Sequence, residues 1–316
     1  MEINEDNIFQ FKTNDEMLDI KDKILESGKK LSEIMLPVMA QLHFDTFQNF
    51  LLKNEYSNVY TSKIYETIID LCNDTNIFTV NIGTKVLRAR IIKDSNDIYG
   101  SKNGIHIDND VLRGYDWYNS KEPAIGISSE GRANSQFSSY FYCSTDAPTA
   151  ASEIKANIGD YISLASFIIK RNLKLIRFEI KDSGEEKTLE ACYKNIIANK
   201  FSVPIRNSKE YRLTQFISDE IRKHGLDGIC YKSHFTHDDN YVIFNCSMST
   251  LEFINSKIIQ LHSQQLNYID FSSNKILRTK PIPDWDTIEI KTEKSRIINI
   301  MKSYQDELIL DNNHTE

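Results

Sequence analysis

Residues 140–153, YFYCSTDAPTAASE, decide how the chain is built. The aromatic-rich run 140–143 reads as a strand. It passes without a linker into Thr145-Asp146-Ala147-Pro148, a capping side chain followed by a proline near the first turn, so a helix begins there. That helix carries Ala151, Glu153 and Ile154. A strand running directly into a helix gathers its last side chains and the neighbouring helical turns around one pocket. Working outward, residues 86–92, 161–167, 173–180, 228–231 and 241–244 also read as strands. A longer helix covers 211–224 and ends at Gly225. Strands and helices do not alternate one for one, so a doubly wound parallel sheet is disfavoured. The expected class is α+β, a helical N-terminal region followed by a mixed β core.

The texture changes near Thr79. Residues 1–78 read as a helical region, 79–250 as the β-rich domain, and 251–316 as an extension. Within the extension Pro281 and Pro283 precede a terminal helix over about 287–308. In the N-terminal part Leu31, Ile34, Met35, Val38, Met39 and Leu42 recur at three- and four-residue spacing, the pattern of one helical face packed in a core. Pro37 predicts a kink or break there. A second helix, capped by Thr61 or Ser62, carries Ile64, Tyr65, Ile68, Ile69 and Cys72.

Composition excludes several classes of function. A net charge of −7 speaks against nucleic acid as a direct partner, because phosphate binding leaves a basic footprint. The longest apolar run is too short to cross a bilayer, so no membrane role is expected. The opening MEINEDNIFQ lacks the basic and apolar parts of a signal peptide, and a cytoplasmic protein is expected. Cys72, Cys143, Cys192, Cys230 and Cys246 form no CxxC pair and read as reduced, buried thiols. His234 and His237 in HFTHDD look superficially like metal ligands. Too few ligands converge there, and the segment reads as a loop with no metal. No GxGxxG opens a βαβ unit, so hydride transfer with a bound nicotinamide cofactor is not indicated.

Four segments carry residues suited to chemistry. In 86–90, VLRAR, the period-2 geometry of a strand puts Arg88 and Arg90 on one face, an anion clamp or else a solvated face. In 130–135, EGRANS, Gly131 and Asn134 suit a tight loop and Arg132 adds a third cation. In the central stretch Tyr142 can stack on a flat ring, and Glu153 can face the same pocket. A lone Glu in an early turn is equally what the helix dipole selects, so this residue by itself leaves both readings open. Residues 226–233, LDGICYKS, form a turn and a strand ending in Ser233, with 240–245, NYVIFN, as the neighbouring strand.

Taken in order, LRAR, EGRAN, YFYCSTDAPTAASE, IGDYISLASF, LTQFISDEIRKHGLDGICYKS and NYVIFN resemble the RES domain family over about residues 79–245, and most closely its branch with a helical N-terminal extension. The Arg, Glu and Ser that name the family fall on Arg88, Glu153 and Ser233. The resemblance implies an ADP-ribosyltransferase-like fold and an enzyme that degrades NAD by hydrolysis or phosphorolysis. It implies a catalytic set of Glu153, Arg88 and Ser233. Arg132, Tyr142, Asn134, Arg90 and Gln215 fall to substrate binding. Leu87 stands where the family often has an aromatic residue. Ser135 replaces a proline, and residues 135–138 lack the usual glycine; these departures bear on loop shape and substrate fit.

In that reading NAD is a substrate, no cofactor is required, and inorganic phosphate is a candidate co-substrate. The resemblance also implies a toxin held by an antitoxin. Because free NAD degradation would harm the host, a toxin or antiviral effector restrained by a regulatory protein, a homo-oligomeric switch or a trigger is expected. Two other functions use the same residues: an ADP-ribosyltransferase that modifies a macromolecule, and a non-catalytic module that senses NAD or a related nucleotide.

Overall fold

The computed structural model describes residues 14–73, 77–93, 107–108, 111–123, 128–136, 138–180, 188–204, 211–261, 267–270 and 275–278. The expected terminal helix at 287–308, with Pro281 and Pro283, lies outside them. The chain divides into two compact units, one of residues 1–70 and 179–199, the other of 71–178 and 200–316.

In the first unit, α1 (Asn14–Lys53), α2 (Tyr56–Tyr60) and α3 (Lys63–Leu71) follow one another, and α6 (Leu189–Ser202) begins here. Pro37 lies inside α1, which continues past it as a helix. Ser62 caps α3 through the Tyr65 amide at 3.1 Å, and Ile64 and Ile68 are buried, as the periodicity predicts. The apolar stripe of α1 corrects an expectation. Leu31, Met35, Val38, Met39 and Leu42 are all more than 40% exposed; the side chain of Ile34 lies outside those described. The buried face of α1 is instead Ala40, Phe44, Phe47 and Leu51, with Phe44 edge-on to Tyr193 of α6 at 5.7 Å. Both faces have helical spacing, and spacing does not say which one finds a partner.

The second unit is built on an eight-stranded sheet of order β1-β7-β8-β9-β5-β2-β6-β10. Its strands are β1 (Ile77–Val80), β2 (Lys85–Ile91), β5 (Phe141–Ser144), β6 (Tyr161–Ile169), β7 (Leu173–Phe178), β8 (Gly228–Lys232), β9 (Asp239–Ile243) and β10 (Leu251–Gln260). The strands β3 (Ile107–Asp108) with β4 (Val111–Leu112), and β11 (Asn267–Asp270) with β12 (Lys275–Arg278), form two separate two-stranded ribbons, and the short helix α4 (Trp117–Ser120) follows β4 in the chain. All neighbours in the large sheet are antiparallel except β7 and β8. That parallel pair needs a long crossover, and the chain between them carries α6 and α7 (Tyr211–Lys223). The fold is therefore mixed α+β with a helical N-terminal region. The sequence signals do not mark β10: in LEFINSKIIQ the buried positions do not alternate.

One face of the sheet packs Phe141, Cys143, Phe167, Cys230 and Ile243, with Phe167 edge-on to Phe141 at 5.0 Å. On the other face α5 (Ala147–Glu153) lies over Ala89, Ile162 and Leu164. The sheet is loosest where the site forms. β2 pairs with β6 over seven positions but meets β5 at a single one, Leu87 opposite Ser144. Elsewhere the strands close tightly. At Gly228 any Cβ would collide with the Val242 backbone carbonyl of β9. Gly228→Ala is therefore expected to cost about 1–3 kcal/mol in chemical denaturation. An unchanged midpoint would mean that β9 gives way without cost.

Candidate active site

A cavity of about 360 Å³ opens where β2 and β5 part, lined by Arg88, Arg132, Tyr142, Glu153, Tyr231 and Asn240 among others. This volume falls within the range of small-molecule sites. Its polar centre is Glu153, the last residue of α5. The helix starts as the sequence predicts, with Asp146 capping the Thr149 amide at 2.9 Å and Pro148 in the first turn. It is only seven residues long, however, so Glu153 sits at its C-terminal end. There the dipole opposes a carboxylate, which removes the dipole as a reason for this residue. Two donors hold it instead. Ser233 Oγ and Asn240 Nδ2 each lie 2.7 Å from Glu153 Oε1. Ser144 Oγ donates to Asn240 Oδ1 at 2.6 Å, and the Phe235 amide donates to Ser233 Oγ at 3.2 Å. Ser144, Ser233 and Asn240 are all buried.

The cations divide. Arg88 and Arg90 do share a face of β2. Arg88 lies 5.2 Å from the Phe141 ring centre and donates to the Tyr142 carbonyl at 3.0 Å; its Nε has no hydrogen-bond partner among the described residues. Burial, then repulsion from Arg90, lowers its pKa to about 10, which leaves it cationic at neutral pH. Arg90 donates to the Asn119 carbonyl, covers Tyr115, and is not among the cavity-lining residues. Arg132 does line the cavity. Its Nη1 donates to the Lys200 and Val203 carbonyls at 3.0 and 2.9 Å, and its guanidinium stands 5.6 Å from the Tyr231 ring centre.

Asn134 and Gln215 do not line the cavity; they build the loop that carries Arg132. Asn134 Nδ2 donates to the carbonyls of Ser129, Ser135 and Ser138. Gln215 Nε2 reaches the Gly131 and Asn134 carbonyls, each at 3.0 Å. Tyr142 closes the arrangement, accepting from the Ala133 amide at 2.9 Å and donating to Asn134 Oδ1 at 2.7 Å. Burial pushes its phenol pKa well up, so it stays a neutral donor. Gly131 is required because a Cβ would stand 2.5 Å from Asn134 Oδ1 and 2.9 Å from Tyr142 Oη.

Sequence reasoning missed Asn240, Ser144, Tyr231, Phe235 and Lys155 as site residues. Asn240 and Ser144 are found only by the strand register, which sets them opposite one another on β9 and β5. Lys155 lines the cavity with a left-handed backbone, φ 54°, just past α5. No signal in the local sequence marks it. Among the described residues no cluster of His, Cys, Asp and Glu can hold a metal, and the loop with His234 and His237 is tied to α5 by Thr236 Oγ1, 2.6 Å from Thr149 Oγ1. None of the five cysteines, all among the described residues, forms a disulfide. Among the described residues no helix is long and apolar enough to cross a membrane.

A family model described as the RES domain matches residues 111–261, a little less than half the chain. The match takes in Arg132, Asn134, Tyr142, Glu153, Gln215 and Ser233; Arg88 and Arg90 lie ahead of it. No curated protein matches the sequence. A crystal structure of the M. tuberculosis MbcT–MbcA toxin–antitoxin complex is similar at 10% identity, with a TM-score of 0.35, over 63% of this chain and 98% of the other.

The bonds of Tyr142 yield a direct test. Tyr142→Phe strands the Ala133 amide and Asn134 Oδ1 and is expected to destabilise by about 1–3 kcal/mol. Hydrogen exchange at residues 129–136 is expected to quicken with it. Unchanged stability and exchange would mean that the hydroxyl does not hold this loop.

Proposed function

With a RES domain over residues 111–261 as the premise, we propose that the protein degrades NAD by cleaving the bond between nicotinamide and ribose. The observation that carries this reading is the carboxylate of Glu153, fixed by Ser233 and Asn240 in a cavity that Arg88 and Arg132 also line. NAD matches that layout in charge. It has a cationic nicotinamide ring that leaves as a neutral molecule, a pyrophosphate, and a ribose that becomes positive as the bond breaks.

In the proposed reaction the electron pair of the C1′–N bond goes to the nicotinamide nitrogen, and the ribose acquires oxocarbenium character. Glu153 stabilises that developing charge more than it stabilises the bound substrate, which is what accelerates a reaction. Water or inorganic phosphate then adds to C1′. Water gives ADP-ribose and releases a proton to solvent; phosphate gives ADP-ribose 1″-phosphate. Arg88 and Arg132 hold the pyrophosphate through charge-assisted hydrogen bonds. Tyr142 supplies an aromatic wall beside nicotinamide, its hydroxyl being committed to the loop. Ser233 acts on Glu153 and not directly on the ribose, since its one proton is already donated. Arg90 and Gln215 support the site from outside the cavity.

Uncontrolled loss of NAD harms the cell that makes such an enzyme. We therefore also propose a toxin or defence role, with an antitoxin or other regulatory protein as the restraint. Transfer of ADP-ribose to a macromolecule is the second reading, because the same pocket serves any acceptor that reaches C1′.

Incubation with NAD, with and without phosphate, followed by mass analysis, is expected to yield nicotinamide with ADP-ribose or its 1″-phosphate. Glu153→Gln is expected to lose about 10²–10³ in turnover while staying folded. Intact NAD, or near-normal turnover by the Glu153→Gln variant, would overturn the reading. Label on protein or nucleic acid would favour transfer.

A further inference from the structure

We propose that Asn240 is a positioning residue for Glu153, and that Ser144 sets the orientation of Asn240. The proposal rests on the NAD-cleaving reading above and adds to it the part of the structure that aims the carboxylate.

Three observations carry it. First, Glu153 needs external help: at the C-terminal end of α5 the helix carbonyls repel its charge, and nothing in the helix holds the side chain. Second, both donors converge on the same atom. Ser233 Oγ and Asn240 Nδ2 each meet Oε1 at 2.7 Å, while Oε2 takes no hydrogen bond from the described residues. The pair of bonds thus fixes one oxygen and leaves the other for the substrate. Third, the hydrogen positions follow from chemistry. A carboxylate only accepts, so the Asn240 amide must present its NH₂ to Glu153 and its carbonyl oxygen to Ser144, which therefore donates at 2.6 Å.

The two donors differ in what holds them. Ser233 stands just past β8, at the start of the loop to β9. Asn240 lies within β9, opposite Ser144 of β5 on one side and Tyr231 of β8 on the other. Asn240 is 3% exposed, and its side chain is satisfied at both ends. A donor mounted in the sheet gives the carboxylate a reference that loop motion does not disturb. Ser144 also faces Leu87 at the one pairing between β5 and β2, so the relay begins where the sheet parts to form the cavity.

The charged and titratable groups around the pair come from several elements. Arg88 of β2, Arg132 of the loop before β5, Lys155 beyond α5 and Tyr231 of β8 line the same cavity. Asp239, next in sequence, is held by Arg177 and Lys232 at 2.8 and 2.9 Å. All of these stay the same when Asn240 alone is changed.

The test is steady-state NAD cleavage by the full chain and its variants. Asn240→Ala is expected to lower kcat by about 10- to 100-fold with KM nearly unchanged. Asn240→Asp places two carboxylates at hydrogen-bond distance. Its activity is expected to be low at neutral pH and to recover on acidification, when one shared proton replaces the amide hydrogen. The wild type is expected to lack that recovery. Ser144→Ala keeps the amide but frees it to turn; a smaller loss of kcat is expected, and none further when it is added to Asn240→Ala. An unchanged kcat, a loss confined to KM, or an Asn240→Asp profile parallel to the wild type would overturn the proposal.

Should Asn240→Ala not fold, the Ser144→Ala and Asn240→Asp arms decide. Should the wild type leave NAD intact, the functional reading fails by itself. The positioning contact is then judged by thermal denaturation of Asn240→Ala, Glu153→Gln and the double variant. Coupled, non-additive shifts support the contact and additive ones overturn it.

Discussion

A carboxylate on the last residue of a helix sits where the backbone is least hospitable to it. The architecture around Glu153 is arranged to hold it there. α5 is short, anchored at its start by Asp146 and tied to the β8–β9 loop by the bond between Thr149 and Thr236. Its end meets two donors, Ser233 just past β8 and Asn240 within β9. Burial makes these bonds strong and makes leaving any partner unmet expensive. That mutual dependence explains why Ser144, Asn240, Ser233 and Glu153 form one continuous chain of hydrogen bonds.

The same economy of bonds shapes the loop that carries Arg132. Tyr142, Asn134 and Gln215 spend their polar groups on the backbone between residues 129 and 138, and Gly131 makes room for them. These side chains read in the sequence as substrate contacts, yet Asn134 and Gln215 serve the scaffold. Arg132 is divided in the same sense, with one nitrogen on the carbonyls of Lys200 and Val203 and its plane over Tyr231. A guanidinium fixed in this way loses little freedom on meeting an anion, which favours binding.

Six of the eight strands of the large sheet were legible; β1, β10 and α6 were not. Strand runs, the Asp146 cap, Ser62 at the start of α3 and the stop at Gly225 are local signals, and local chemistry settles them. Glu153, Tyr142 and Arg132 were legible as pocket residues because a strand entering a helix, or a glycine-bearing loop, brings neighbours in sequence into one place. Arg88 and Arg90 were correctly set on one face of β2. Period-2 spacing does not tell which of the two reaches the cavity, and only Arg88 does. The stripe on α1 shows the same limit in a helix. Leu31, Met35, Val38, Met39 and Leu42 have the spacing of a core face, yet Phe44 and Phe47 are the residues buried.

Sequence by itself determined the α+β class, the helical start, the strand–helix unit around Glu153 and the residue types available to meet an anion and a developing cation. These follow from hydrophobic period, turn chemistry and capping, which act over a few residues. Tertiary structure alone decided that Glu153 ends its helix, that Asn240 and Ser144 hold it, and that β2 and β5 part to open a cavity. Ser144 and Asn240 are far apart in sequence and meet only because β5 and β9 pair in one register. Register is a property of the whole sheet, fixed by the packing of its two faces, and no single stretch of chain contains it.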